Sequence, residues 1–252
     1  MAKENRLFLS NPGTGKSTLI NCLIGTFVFQ SGVQRGDGLT RTFQRFETNG
    51  VTYMDTPGLA NKTFNESAAQ EITTALKQSG FFKLFFMVQF QNGRVVAEDL
   101  STIESVLDSI EIPDVVYSVI VNNISKEMYE TISSRGSEFD AVVALINSGR
   151  YSTRNICFIP TIDELTDKAN KVVELPPRVV NFIELGAPVN CIFQSEVKAI
   201  EGKDFQQQTE KIQENLEEIR RGNAEVYEKM VGSLLLHFVL SRREQIDQLI
   251  LG

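Results

Sequence analysis

The sequence predicts an α/β fold of three layers: a mainly parallel central sheet with helices on both faces, followed by a largely helical C-terminal extension. Three observations carry this expectation. Apolar runs such as Phe81 to Phe90 and Val115 to Val121 are continuous rather than alternating, as in strands covered on both faces. Helix-patterned segments stand between these runs, so the strands connect by crossovers and lie parallel. Past residue 200, Phe205, Ile212, Leu216, Ile219, Val226 and Met230 recur at spacings of four, three or seven, which marks a long helix.

In chain order, Leu7-Phe8-Leu9 reads as a short buried strand that enters a glycine-rich turn. Ser17 to Gly25 then reads as a helix ended by its glycine. Residues 26 to 42, rich in Gly, Gln, Arg and Thr, read as an exposed loop. Two strands follow, Thr42 to Glu47 and Val51 to Met54, joined by the hairpin signal Asn49-Gly50. A helix spans Glu66 to Gln78, and the apolar strand Phe81 to Phe90 is interrupted by Lys83. Next come a helix from Ala97 to Ile110, the strand Val115 to Val121, helix from Lys126 onward, and the last clear strand, Asn155 to Pro160. This divides the chain into a core domain over 1–185 and an extension over 186–252. The seam of the extension, with Thr209 and Asn223 filling its heptad-like gaps, either folds back on the domain, the commoner outcome, or pairs in trans as a coiled coil.

Composition removes several classes of function. A net charge of −7 argues against a nucleic-acid backbone as the main partner, since phosphate binding wants a basic face. Cys22, Cys157 and Cys191 are odd in number and far apart, which fits neither a disulfide framework nor a zinc site and points to a reducing compartment. The first residues lack the apolar stretch of a secretory signal, and Phe81 to Phe90 and Leu234 to Leu240 are too short to span a bilayer. A soluble cytoplasmic protein is therefore expected, with no membrane-binding patch visible in the sequence.

The chemistry concentrates in Asn11-Pro12-Gly13-Thr14-Gly15-Lys16-Ser17-Thr18. Glycines in a strand-to-helix turn let successive backbone N–H groups converge on one point, and the helix N-terminus adds its dipole, so the segment is a cradle for phosphates. Lys16 would neutralise phosphate charge, and the Ser17 hydroxyl would ligate Mg²⁺. The full pattern of a P-loop wants glycine at position 10, where this chain has Ser10. A second motif supports the first: Asp55-Thr56-Pro57-Gly58 ends an apolar strand, where Asp55 can hold Mg²⁺ and the Gly58 N–H can approach a γ-phosphate. In the loop between them, Thr40 and Thr42 both qualify to complete the metal shell and sense the γ-phosphate. Thr40 is preferred because Thr42 is expected to enter the strand.

These motifs resemble the translation-factor-like P-loop GTPases. Within them the chain is similar to the avirulence-induced-gene (AIG) type, also called the GTPases of immunity-associated proteins, with septins and chloroplast import GTPases as neighbours. The resemblance covers roughly residues 6 to 165 and rests on Asn11 to Asn21, Thr40-Arg41-Thr42-Phe43-Gln44 and Asp55 to Leu59. It implies GTP binding with Mg²⁺, slow hydrolysis and pairing of domains as a homodimer, often near membranes. Leu59 stands where a side-chain amide orients water in Ras-like enzymes, so hydrolysis would need another group, and Arg35 or Arg41 could supply it across a dimer. Solvated loop arginines are the commoner outcome for both. The guanine-reading pattern N-K-x-D is met by Asn122-Asn123-Ile124-Ser125: Asn122 fits, either as a nucleotide contact or as a strand-end turn residue, while Ser125 replaces the aspartate. Pro160-Thr161-Ile162-Asp163 falls where the family packs against the base, and His237 reads as a packing residue.

Two functions from different classes follow: a slow GTPase switch with Thr40 and Gly58 at the reacting phosphate, or a pseudo-GTPase scaffold that hydrolyses weakly or not at all. An ATPase or small-molecule kinase ranks third, since no lid arginines or acceptor-binding acid can be picked out.

Overall fold

The computed structural model describes residues 4–32, 40–61, 63–91, 93–165 and 170–228; Arg35, Met230, the run Leu234 to Leu240 and His237 lie outside them. The first half of the chain forms β1 (Glu4–Ser10), α1 (Lys16–Ile24), β2 (Gln44–Thr48), β3 (Val51–Asp55), β4 (Ala60–Asn61), β5 (Thr63–Phe64), α2 (Glu66–Leu76), β6 (Gly80–Gln91), β7 (Arg94–Val95) and α3 (Ala97–Asp108). The second half adds β8 (Ser118–Ile124), α4 (Lys126–Ser133), α5 (Ser137–Ile146), β9 (Ile156–Pro160), α6 (Pro177–Asn181), β10 (Asn190–Ile192) and α7 (Phe205–Gly222).

The main sheet runs β2-β3-β1-β6-β8-β9. Every neighbouring pair from β3 to β9 is parallel, and β2 joins the edge antiparallel through the hairpin. That hairpin has two residues in its turn, and Asn49 and Gly50 both take positive φ (51° and 77°), the conformation that matches strand twist and that an Asn-Gly pair tolerates.

Two apolar clusters, one on each face of the sheet, explain why its central strands are apolar without alternation. Leu7 and Leu9 of β1, and Phe82, Leu84, Phe86 and Val88 of β6, belong to the cluster covered by α2, α3, α4, α5 and α7. Phe8 of β1, and Phe85 and Met87 of β6, belong to the cluster covered by α1 and α6. Phe8 and Phe85 stack there with ring centroids 4.9 Å apart. Each such side chain contributes about 1.5–3 kcal/mol on burial, so these two strands are the mechanical centre of the fold. Lys83 breaks the apolar run without being exposed: its Nζ donates to the Glu184 carbonyl and lies 3.5 Å from Glu4 Oε2, so the buried charge is partnered.

The structure departs from the sequence reading in several places, and some of them shape the sheet. The second strand begins at Gln44, so Thr42 precedes it and is exposed. The strand expected at Val115 begins at Ser118 and continues to Ile124. A tenth strand, Asn190–Ile192, pairs antiparallel with Gly80–Phe82 of β6, so residues assigned to the extension join the central sheet. Three residues are too few for any periodic signal, and that strand was not legible.

The extension's helix α7 lies against α3. Phe205, Ile212 and Leu216 are buried, Phe205 packs on Phe64 at 5.5 Å, and Thr209 Oγ1 sits 2.8 Å from Ser101 Oγ. Asn215 Nδ2 donates to the Ser148 carbonyl, and the Tyr227 hydroxyl to the Ala141 carbonyl. Over the described residues, from Phe205 to Val226, the apolar seam is therefore occupied within the chain. Among the described residues, no helix is long and apolar enough to cross a membrane.

Candidate phosphate and metal site

The turn from β1 to α1 lies at the C-terminal edge of the parallel sheet, where open α/β sheets bind their ligands. Gly13 and Gly15 take φ of 84° and 89°, a left-handed backbone that a side chain would strain. Gly15 is also the N-cap residue of α1, and a Cβ there would lie 2.7 Å from Asn122 Nδ2. A left-handed glycine turn running into a helix N-terminus is the backbone form in which N–H groups can face an anion. Lys16 opens α1, buried, with its Nζ donating to Ser10 Oγ at 2.8 Å. Burial lowers its pKa, against the opposing charges of Asp55 and Asp99. Ser10, the departure from the glycine pattern, fits without disturbing the turn: its hydroxyl donates to the Asn11 carbonyl and lies 2.6 Å from Thr14 Oγ1.

On the β3 side, three oxygen-bearing side chains meet. Ser17 Oγ donates to Asp55 Oδ2 at 2.6 Å, Thr40 Oγ1 to the same oxygen at 3.2 Å, and the two hydroxyls are 3.3 Å apart. Asp55 is fully buried; burial raises its pKa, and the Lys16 charge, the two hydroxyls and, least strongly, the Thr56 N–H oppose the rise. Its other oxygen, Oδ1, is buried without a hydrogen-bond partner. An orphaned carboxylate oxygen beside two hydroxyls and a phosphate cradle is a hard-oxygen donor set that fits Mg²⁺, a cation that takes one or two carboxylates and completes its shell with phosphate and water. No cluster of three His, Cys, Asp or Glu exists among the described residues, and such a site needs none.

Thr56 Oγ1 donates to the Phe8 carbonyl and fixes the start of the second motif. Gly58 then passes directly over Pro12: a Cβ at Gly58 would come 2.3 Å from Pro12 Cδ. Leu59 points into the core, with no exposed surface.

The β8 side differs from the guanine-reading pattern in conformation as well as composition. Asn122 Nδ2 donates to the Thr14 carbonyl at 2.9 Å, so this side chain ties β8 to the phosphate loop. Asn123 has φ of 60°, and the β8–β9 register shifts between Val121 and Ile124, a bulge that asparagine tolerates. Ser125 is the N-cap of α4, its hydroxyl accepting from Met128 N at 3.3 Å; the side chain in the aspartate's place serves its own helix. Thr161 donates twice to the Ile124 carbonyl, and Lys126 pairs with Asp163 at 2.5 Å, so the loop after β9 is stitched to this bulge.

Behind the phosphate loop lies a buried polar layer that sequence reasoning missed. The sequence places Asn11 in the cradle, yet its side chain faces away from it, toward Asp99, Thr102 and Ala60. Asp99 occupies the first turn of α3, where acidic residues are common for helix-dipole reasons, so nothing in the sequence distinguishes it.

Residues 7–147 match the family described as 50S ribosome-binding GTPase. No curated protein matches the sequence at a significant level. Among solved structures, one of the chloroplast translocon components atToc33 and psToc159, for which dimerization is important for GTPase activity, aligns at 19% identity over 73% of this chain and 82% of that one, with a TM-score of 0.51. Toc33 from Arabidopsis thaliana with Mg²⁺ and GMPPNP aligns at 18% identity over 77% and 88%, with a TM-score of 0.47. Era in complex with MgGDPNP and nucleotides 1506–1542 of 16S ribosomal RNA aligns at 17% identity over 75% and 58%, with a TM-score of 0.42. Likeness to the first of these, at 19% identity and a TM-score of 0.51, speaks for the fold alone, and the three-layer α/β architecture expected from the sequence is the one found.

Proposed function

The chain belongs to the 50S ribosome-binding GTPase family, and from that premise we propose that it is a slow, Mg²⁺-dependent GTPase switch of the AIG type, activated or stabilised by dimerisation. The observation that carries this reading is the meeting of Ser17, Thr40 and Asp55, with an orphaned Asp55 oxygen, beside the glycine cradle. Backbone N–H groups of Gly13 and Gly15 and the Lys16 ammonium would hold the β- and γ-phosphates, with Pro12, Thr14 and Thr18 completing the loop. Ser17, Thr40 and Asp55 would hold Mg²⁺, which would neutralise phosphate charge when bound. The Gly58 N–H would report the γ-phosphate, and Asn122 would keep the loop in register beneath the nucleotide.

Slow turnover is supported by Leu59, whose burial leaves no side-chain amide there to orient water. A group from a second copy would complete the site, and Arg41 is exposed on the loop that would meet it. The dimerisation described for atToc33 and psToc159 gives the same idea outside support. The α7 seam is the weaker candidate for pairing, since it is already buried in cis. The net charge of −7 favours a protein partner over RNA, although Era was solved with an RNA fragment. A cytoplasmic setting agrees with three free cysteines, two of them buried.

The second reading, a scaffold with weak or no hydrolysis, is favoured by two observations: the buried Leu59 and the Ser125 hydroxyl engaged in capping. Calorimetric titration with GTP, GDP and ATP in Mg²⁺, with Lys16→Ala as control, separates the two. The switch requires guanine binding that the variant loses; binding of no nucleotide would leave the scaffold. Specific hydrolysis rate should then rise with protein concentration, and a flat rate would remove dimer activation.

A further inference from the structure

The Asn11 carboxamide makes three hydrogen bonds, and all of them lead away from the phosphate cradle. Its Oδ1 accepts from Ala60 N at 3.0 Å and lies 2.9 Å from Thr102 Oγ1, whose single proton it shares with the Glu98 carbonyl, and its Nδ2 donates to Asp99 Oδ1 at 2.9 Å. Asp99 Oδ2 accepts from Gln89 N at 2.8 Å. Asn11, Asp99 and Thr102 are all buried, so none of these groups can exchange its partner for water. A second link runs beside the first, Leu59 N donating to the Ser10 carbonyl at 3.2 Å. Ala60 is two residues past Gly58, whose backbone rests on Pro12.

We propose that Asn11 and Asp99 are a positioning pair that registers residues 58–60 against the phosphate loop, so that the Gly58 N–H stands in place for a γ-phosphate. The donor and acceptor pattern requires this pair. Asp99 faces two N–H donors, Asn11 Nδ2 and Gln89 N, and therefore needs an acceptor on each oxygen. That demand orients the Asn11 amide with its oxygen toward Ala60 and Thr102. An asparagine at position 99 would turn an NH₂ onto one of those donors. Asn11 would then flip to receive it and would present its own NH₂ to the Ala60 N–H. An aspartate at position 11 fails differently, by setting two carboxylates against each other in a buried site. Exchanging the two residues, Asn11→Asp together with Asp99→Asn, gives every donor an acceptor again. The carboxylate then at position 11 would accept from Ala60, from Thr102 and from the amide at position 99. The oxygen of that amide would accept from Gln89 N.

The pair acts on the nucleotide only through the backbone of 58–60, and its role in switching rests on the GTPase reading above. Two measurements keep the two ideas apart. Hydrogen exchange of the Ala60 amide in the protein alone reads the anchoring directly. Calorimetry with GMPPNP and GDP in Mg²⁺ reads its consequence. Asn11→Asp and Asp99→Asn should each lower Ala60 protection, and the preference for GMPPNP relative to GDP, on the order of tenfold, as expected for loss of a buried hydrogen bond. The exchange variant should recover both. A purely structural role would weaken both nucleotides equally and leave their ratio alone. Single variants with unchanged Ala60 protection, or an exchange variant no better than the singles, overturn the proposal. If the unaltered protein binds neither nucleotide, the GTPase reading fails, and Ala60 exchange still decides the anchoring.

Discussion

Replacing Gly58 with alanine adds one methyl group where the second motif crosses Pro12. A Cβ built there lies 2.3 Å from Pro12 Cδ, 2.4 Å from Pro12 N and 2.6 Å from Pro12 Cγ, whereas ordinary contact begins near 3.4 Å. The backbone must therefore separate by about 1 Å (3.4 less 2.4), because Pro12 N belongs to the ring and to the main chain and has no rotamer to change. Such a shift stretches Leu59 N to the Ser10 carbonyl from 3.2 Å, and Ala60 N to Asn11 Oδ1 from 3.0 Å, to about 4 Å, beyond hydrogen-bonding reach. Two such bonds contribute about 1 kcal/mol each, and the buried groups left unpaired add more, so Gly58→Ala should cost about 2–4 kcal/mol. For a chain of this size that lowers Tm by roughly 5–10 °C. Urea melts followed by far-ultraviolet circular dichroism measure the loss, and GMPPNP affinity should fall further than GDP affinity. A variant within about 0.5 kcal/mol of the unaltered protein, the range of an inert surface change, with the same ratio of the two affinities, would refute the reasoning.

Three other perturbations have definite outcomes. Burial pushes the Asp99 carboxyl up to about 7, with Glu98 adding to the rise and Gln89 N, Asn11 and Lys16 opposing it. The folded state thus binds this proton more tightly than the unfolded chain, so stability falls as pH climbs from about 4 to about 7, by at most about 1.4 kcal/mol per unit. Asp99→Asn should flatten that segment of a pH series of melts, and an identical slope in both proteins would count against it. Leu216→Ala opens a cavity under α7 and should cost about 2–5 kcal/mol at a urea midpoint independent of protein concentration. A midpoint that moves with concentration would mean the seam pairs in trans. In the native protein Cys191 is exposed, whereas burial pushes the Cys22 thiol up and the Cys157 thiol to about 12. A thiol reagent at pH 8 should therefore modify Cys191 first, with the other two reacting only on denaturation. Rapid modification of Cys22 or Cys157 would contradict their burial.

Much of the site was legible because it obeys local rules. Gly13 and Gly15 supply backbone conformations that only glycine adopts freely, Lys16 and Ser17 follow them at fixed offsets, and Asp55 to Gly58 close a strand. The base end was less legible because residue identity there did not reveal direction. Ser125 could be compared with an aspartate as an acceptor, yet its hydroxyl turns back to cap α4. Likewise Asn122, readable as a nucleotide contact or a turn residue, reaches the Thr14 carbonyl.

What the sequence determined by itself was the class of fold and the glycine-rich turn from strand to helix. Apolar runs covered on both faces and glycines at a strand-to-helix turn are constraints within a few consecutive residues. Tertiary structure alone decided that Asn11 meets Asp99 across 88 positions, that Asn190–Ile192 completes an edge of β6, and that α7 lies in cis on α3. Hydrogen bonds and packing between distant segments leave no periodic trace in either segment. They exist only once the sheet has brought the ends of β1, β3 and β6 to one edge.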